Sequence, residues 1–277
     1  MMMRLLRTEL YKQLRLPRTW VALAVVVAIP IIITVALKVS PPDTGPGRGG
    51  GERGDGLFRL ATQSGLLIPA AALRVMSEFF LVVIICMFAG DAVASEAGWG
   101  NLRFLLTRPI SRARLLTTKL IVAAVYGLGA TAMIVVAGLI AGVLAFGFHP
   151  VTLPIVGINE STGSLLGHLG LAVLLAAWGI AGVAAFAFML STMMDNSAGA
   201  IFGAVGFYIV TSILGAISSI GPMRYGFPTF YGGAWSQLFQ GASFGGDMWR
   251  NLLVQIPYVL VFAGIGFWWF RRKDITS

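Results

Sequence analysis

The string in this sequence that is closest to a catalytic motif is Gly241-Ala242-Ser243-Phe244-Gly245, a match to the G-x-S-x-G pattern of serine hydrolases. In those enzymes the serine is the nucleophile and sits on a strand-to-helix turn. Here the string lies in a glycine-rich segment between apolar runs, and a histidine base would have to come from another loop. His149 and His168 each lie near the end of an apolar run, which is typical of interfacial histidines. An intramembrane serine protease is therefore the weakest of three functional hypotheses.

Other catalytic or ligand-binding chemistry is scarce. With one cysteine, Cys86, and two histidines, the chain cannot assemble a metal site of the Cys/His type. A nucleotide-binding P-loop ends in Gly-Lys-Ser/Thr, and none of the four lysines follows a glycine. The sequence therefore predicts a chain with no catalytic residue, no metal and no bound cofactor of its own, which cannot hydrolyse ATP.

The composition is that of a membrane protein. Of the 277 residues, 57% are hydrophobic and 11% are charged, and the mean hydropathy is +0.84. Soluble domains carry about 25% charged residues, so a soluble enzyme is excluded. A helix needs roughly twenty apolar residues to cross a bilayer. We predict an all-α membrane protein forming one domain, residues 1–277, with six transmembrane helices at about 19–37, 71–90, 119–148, 167–194, 198–220 and 252–270.

The distribution of basic residues predicts the orientation. The chain has 20 Lys and Arg against 11 Asp and Glu, a net charge of +9. In a soluble protein this excess would suggest nucleic acid, but here the charges cluster between apolar runs, so no nucleic-acid partner is predicted. Thirteen of the twenty basic residues fall in 1–18, 91–119 and the C-terminal tail. The positive-inside rule therefore predicts a multi-pass protein of the cell membrane with both termini cytoplasmic.

Residues 1–18 have the pattern of an amphipathic helix. Met3, Leu6, Leu10 and Leu14 recur at three- and four-residue spacing, opposite a stripe of arginines. Such a helix lies on the inner membrane surface, attracted to anionic lipids. We expect membrane lipid to be its partner, and docking to another protein is the alternative.

The predicted loop between spans 2 and 3, residues 91–118, is too long and too patterned for a simple turn. Glycines and Pro109 interrupt it, and capping residues favour short helices. Three leucines form an apolar face with a basic rim, which suits insertion into a groove on another protein. The leucines are Leu102, Leu105 and Leu106, and the rim consists of Arg103, Arg108, Arg112 and Arg114.

A motif in this loop resembles that of the ABC-2 type permeases, the membrane subunits of ATP-binding-cassette exporters. These permeases carry a glutamate, a glycine a few residues on, a leucine pair, a proline followed by a basic residue, and a lysine that opens the third span. The matching residues, in order, are Glu96, Gly100, Leu105-Leu106, Arg108-Pro109, Arg112 and Lys119. A second, weaker match is the turn at 190–198 between spans 4 and 5. The glycine-rich segment after span 1 departs from the family pattern.

This resemblance implies a cytoplasmic coupling helix between spans 2 and 3 that sits in a cleft of a separate ATPase subunit. ATP and Mg would be bound by that partner, and this chain would pair with a second copy or a homologous permease. The implied activity is export, with an apolar or amphipathic cargo such as a drug, a lipid or a peptide. The leucines would be the inserted knob, the arginines its polar rim, and Gly100 and Pro109 would set its shape. Glu96 would be a helix cap or the ion-pair partner of one of the arginines.

An ion-coupled secondary transporter is the runner-up hypothesis. It requires an ionisable group within the membrane. Apart from Lys119, the first residue of the third predicted span, the charged residues in the predicted spans are Arg74 and Glu78, which are four residues apart and could pair near the outer end. This hypothesis leaves the patterned loop unexplained.

Small residues in Gly138-x-x-x-Gly142 and Gly199-x-x-x-Gly203 predict close helix packing. The pattern leaves open whether that packing lies within one subunit or across a dimer.

Overall fold

The computed structural model describes residues 2–41, 57–58, 61–62, 64–98, 111–148, 162–240 and 244–273. In these ranges the chain forms α-helices and short 3-10 segments and no strand, which confirms the predicted all-helical class. The helices are α1 (Met2–Leu14), α2 (Pro17–Val39), α3 (Ile68–Glu78), α4 (Phe80–Gly98), α5 (Arg112–Phe146), α6 (Thr162–Gly179), α7 (Ala181–Met193), α8 (Ser197–Ala216) and α9 (Asp247–Arg272).

Six of these helices are long and apolar enough to cross a bilayer: α2, α4, α5, α6, α8 and α9. Their number equals the number of predicted spans and gives the chain the character of a multi-pass membrane protein. The most enclosed is α4, with 72% of its apolar stretch buried. It packs against α5, α7 and α8, so it forms the centre of the bundle.

The second and fourth predicted spans are each divided into two helices. Residues 71–90 fall on α3 and α4, which are separated by Phe79, and residues 167–194 fall on α6 and α7, which are separated by Ile180. The buried side chain of Gln255 on α9 satisfies the backbone at the second break. Its amide nitrogen donates to the carbonyls of Gly179 (2.8 Å) and Pro228 (2.7 Å), and its oxygen accepts from the Gly182 N–H (2.9 Å). A break inside an apolar bundle persists only where such partners exist.

The stretch predicted as a loop at 91–118 is helical at both ends. Helix α4 continues through Asp91 and Glu96 and ends at Gly98, and α5 begins at Arg112. Asp91 and Glu96 are buried, so these two carboxylates belong to the bundle rather than to an exposed loop. Glu96 is buried beside Lys119 of α5, and Asp91 is buried beside Arg18 of α2.

Two 3-10 segments, Ser218–Gly226 and Ala234–Gln240, lie between α8 and α9. Trp235 and Phe239 are fully buried there and join the core, whereas Tyr225 and Trp249 are exposed. The aromatic residues of this region therefore divide between packing the core and lining the surface.

The small residues of α5 pack within this chain. A Cβ atom added at Gly138 would lie 2.9 Å from the Cα of Pro69, and one at Gly142 would lie 2.2 Å from the Gly65 carbonyl oxygen. Only glycine allows α5 to approach the start of α3 so closely. The first of the two small-residue patterns thus serves the packing of one subunit.

We predict that Gly142→Ala lowers the free energy of unfolding by about 1–3 kcal/mol, the range for overpacking a tight core. Gly129→Ala is the matched control, because it lies on the same helix with no atom within 4 Å of the added Cβ. This control should be neutral or stabilising by up to about 1 kcal/mol. Unfolding in mixed detergent micelles measures both changes, and equal effects would contradict the packing described here.

Candidate functional site

Three of the predicted site residues, Glu96, Arg112 and the rim residue Arg114, fall within the part of the chain that the structure describes. The others lie outside the described residues: Gly100, Leu102, Arg103, Leu105, Leu106, Arg108 and Pro109. The structure does describe the helices on both sides of these residues, since α4 ends at Gly98 and α5 begins at Arg112.

Glu96 is the centre of a buried charge cluster at this end of the bundle. One of its carboxylate oxygens accepts from the Lys12 ammonium at 2.5 Å, and the other lies 2.7 Å from the Lys119 ammonium. Lys119 also pairs with Glu9 at 3.4 Å. The side chains of Glu96 and Lys119 are each only 4% exposed, so this pair is desolvated. Within the described chain, the partners of Glu96 are lysines from α1 and α5. Arg103 and Arg108, two of the arginines that could pair with it, lie outside the described residues.

A fourth ion pair extends the cluster to α2. The guanidinium of Arg18 contacts the carboxylate of Asp91, which is 2% exposed. The cluster then contains three acidic and three basic side chains: Glu9, Asp91, Glu96, Lys12, Arg18 and Lys119. Equal numbers of opposite charges allow these groups to be buried together, because each charge has a partner.

The pKa of Lys12 follows from this arrangement. Burial lowers the pKa of its ammonium, but the hydrogen bond and charge of Glu96 raise it, as do the charges of Glu9 and Asp91. The net result is a pKa above the ordinary lysine value, so Lys12 remains protonated at neutral pH and the ion pair persists there.

The charge cluster determines which face of α1 meets the bundle. Glu9 and Gln13 are buried, whereas Met3 and Leu14 of the predicted apolar stripe are exposed. Helix α1 is thus held to the bundle through polar contacts. The hydroxyl of Tyr126 on α5 adds another by donating to the Leu10 carbonyl at 2.6 Å.

Arg112 has a different environment from the charge cluster. Its guanidinium donates to the carbonyl oxygens of Phe270, Arg271 and Lys273, at 3.3, 3.3 and 2.9 Å. These are terminal carbonyls of α9, which have no acceptor role inside the helix, so Arg112 caps that helix end. The predicted rim residue therefore ties the start of α5 to the end of α9.

The turn at 190–198 lies beside the end of α4. The hydroxyl of Ser191 accepts from the backbone N–H groups of Val93 (2.9 Å) and Ala94 (3.0 Å). A Cβ atom at Gly98 would lie 2.6 Å from the carbonyl oxygen of Asp195. The two stretches that carry the sequence resemblance are distant in the chain but meet here.

Three residues of the rival hypotheses, His168, Arg74 and Glu78, are described by the structure, and none belongs to the charge cluster. His149 and Gly241, Ala242 and Ser243 fall outside the described residues, and His168 lies on α6. Arg74 and Glu78 form the predicted pair, 3.2 Å apart, with Glu78 62% exposed. No group of three or more metal-binding side chains occurs in the described chain.

Sequence reasoning missed most of the charge cluster. Asp91 and Glu96 were assigned to a loop, and Glu9 was given no role. A usable signal was present, because Glu9 and Lys12 are three residues apart and share a helix face. Nothing in the sequence indicates that this face meets Glu96 and Lys119.

The six long apolar helices of the described chain place this protein in the class of multi-pass helical membrane proteins. Within that class, the chain belongs to the DUF2705 family, described as proteins of unknown function, which it matches over residues 60–276. The matched region contains Asp91, Glu96 and Lys119, whereas α1 and α2 precede it.

A relative in Bacillus subtilis (strain 168), described as the uncharacterized protein YhcI, is 28% identical over 155 residues. The alignment covers 54% of this chain and 47% of YhcI. The chain thus spans about half the length of this relative.

We predict that Glu96→Gln and Lys119→Met each lower the free energy of unfolding by about 3–5 kcal/mol, because each leaves a buried charge without its partner. In the double variant, the free energy of unfolding should fall by less than the sum of the losses in the two single variants. Unfolding in mixed micelles completes this double-mutant cycle, and strictly additive losses would contradict direct pairing. Glu78→Gln is the control, since its exposed pair contributes at most about 1 kcal/mol.

Proposed function

We propose that this chain is the permease subunit of an ATP-binding-cassette exporter of the ABC-2 type, located in the cell membrane with both termini cytoplasmic. It forms half of a translocation path and couples ATP hydrolysis by a separate subunit to export. The observation that carries the proposal is the meeting, at one end of the bundle, of the two stretches that resemble these permeases. That meeting is supported by the contacts of Ser191 with α4 and of Gly98 with Asp195.

The charge cluster suits force transmission. The segment 99–110 joins α4 to α5, so a partner that pushes on it displaces both helix ends. The pairs Glu96–Lys119, Glu96–Lys12 and Arg18–Asp91 connect those ends to α1 and α2. Breaking buried ion pairs is costly, so these four helix ends would move together rather than separately.

In this proposal the coupling helix lies between α4 and α5. Leu102, Leu105 and Leu106 enter a groove on the ATPase, and Arg103 and Arg108 form the polar rim. Gly100 and Pro109 set the shape of the segment. Glu96 and Arg112 anchor its two ends to the bundle through the contacts described above.

The ATPase partner binds ATP and Mg, and this chain needs no cofactor or catalytic residue of its own. A complete transporter requires two permease subunits, so the chain pairs with a second copy or with a homologue. The amphipathic α1 lies on the inner membrane surface, in contact with lipid. The proposed cargo is an apolar or amphipathic molecule such as a drug, a lipid or a peptide.

Purification from the native host in mild detergent tests the proposal. We expect a P-loop ATPase to co-purify in a one-to-one ratio and to hydrolyse ATP. Recovery of this chain without an ATPase, together with ion-gradient-driven transport in vesicles, would favour the ion-coupled secondary transporter. Recovery of this chain without an ATPase, together with serine-dependent proteolysis, would favour the intramembrane protease, with Ser243 as its nucleophile.

We predict that Leu105→Asp combined with Leu106→Asp leaves membrane insertion intact and reduces ATPase recovery and transport at least tenfold. Charged groups on the apolar knob would have to be desolvated in the groove. The matched control is Leu105→Met with Leu106→Met, which keeps the apolar volume and should retain coupling. Unchanged transport and substrate-stimulated ATP hydrolysis in the aspartate variant would exclude this segment as the contact.

A further inference from the structure

A cavity of about 830 Å³ opens at the opposite end of the bundle from the charge cluster. It is enclosed by the ends of α3 and α6, the start of α9 and the two 3-10 segments. Its volume falls within the range of small-molecule sites. Three arginines and two carboxylates line it: Arg74, Arg224, Arg250, Glu78 and Asp247.

Two of the three cavity arginines are neutralised by neighbours. Arg74 pairs with Glu78 at 3.2 Å, and Arg250 pairs with Asp247 at 3.2 Å. Asp247 also accepts from the side-chain amide of Gln237 at 3.2 Å. Both carboxylates of the cavity wall are therefore already paired with an arginine.

Arg224 is paired with no carboxylate among the described residues. Its guanidinium donates to the Tyr225 hydroxyl at 3.1 Å and lies over the rings of Tyr225 (5.0 Å) and Phe230 (5.6 Å). Aromatic rings hold a guanidinium in place without cancelling its charge. The cavity thus contains an oriented cation with unused donors, in the geometry that favours phosphate.

Apolar and aromatic side chains accompany Arg224 at this cavity. Phe230, whose ring lies under its guanidinium, lines the cavity, and Met223, its neighbour in the sequence, is 74% exposed. Ala176 and Ile180 line the cavity wall. A ligand with a charged head and an apolar tail satisfies both environments, because its head can meet Arg224 while its tail covers these side chains.

We propose that this cavity binds the phosphate group of an amphiphile, with Arg224 as the residue that pairs with the anion. The role of that ligand as exported cargo rests on the proposed function. Binding itself requires neither the ATPase nor nucleotide.

Calorimetric titration of the purified chain in an uncharged detergent tests this inference, with hexyl phosphate, inorganic phosphate and hexyl glucoside as probes. We expect hexyl phosphate to bind and Arg224→Gln to weaken it about tenfold or more, as expected for the loss of a charge-assisted hydrogen bond. Arg224→Lys should retain intermediate affinity. An unchanged affinity in Arg224→Gln, or no binding of hexyl phosphate, would overturn the proposal.

Arg15→Gln is the matched control. The Arg15 guanidinium also lies over a tyrosine ring, 4.6 Å from that of Tyr11, and donates to its hydroxyl, but at the other end of the molecule. This variant should bind hexyl phosphate normally, and an equal loss in both variants would show nonspecific charge attraction and overturn the site.

The other probes identify the source of the anion. Hexyl phosphate binding much more tightly than inorganic phosphate supports an amphiphile, whereas equal affinities would assign the site to a free anion and overturn the role of the tail. Hexyl glucoside binding as tightly as hexyl phosphate would overturn the role of the anion.

The proposed transporter function and the proposed phosphate site can be refuted independently of each other. An ATPase that co-purifies while Arg224→Gln binds normally would refute only the cavity. Binding that depends on Arg224, in a chain without an ATPase partner, would refute only the transporter.

Discussion

The buried pair of Glu96 and Lys119 constrains the arrangement of the helices around it. Two charges in an apolar interior are tolerated only at contact distance with their remaining polar positions occupied. Lys12 and Glu9 of α1 supply those additional contacts. The ends of α4 and α5 are therefore fixed against each other, and α1 is held beside them through charges rather than through apolar packing.

Polar side chains perform a related task deeper in the bundle. Gln255 satisfies two backbone groups at the break between α6 and α7 and also the carbonyl of Pro228, and Ser191 accepts two N–H groups of α4. Glycines such as Gly142 let helices approach at backbone distance. Ser191 thus ties α7 to the central helix α4, and Gln255 ties α9 to the break between α6 and α7.

The two ends of the bundle differ in how their charges are arranged. At the end that contains Glu96, each of the six charged side chains of the cluster has an opposite charge in contact. At the other end, Arg224 is held by aromatic rings beside an open cavity. A fully paired cluster is suited to transmitting force, whereas an oriented cation in a cavity is suited to binding a ligand.

The sequence by itself determined the helical class and the number of apolar helices, because long apolar runs have few other stable conformations in a membrane. The spacing of Arg74 and Glu78 also predicted their ion pair, since neighbours four residues apart share a helix face. Only the tertiary structure brought Lys12 and Lys119 to Glu96, placed Ser191 beside α4, and positioned Gln255 at a helix break. Those contacts join residues between 23 and 98 positions apart, and no local pattern encodes which helices become neighbours.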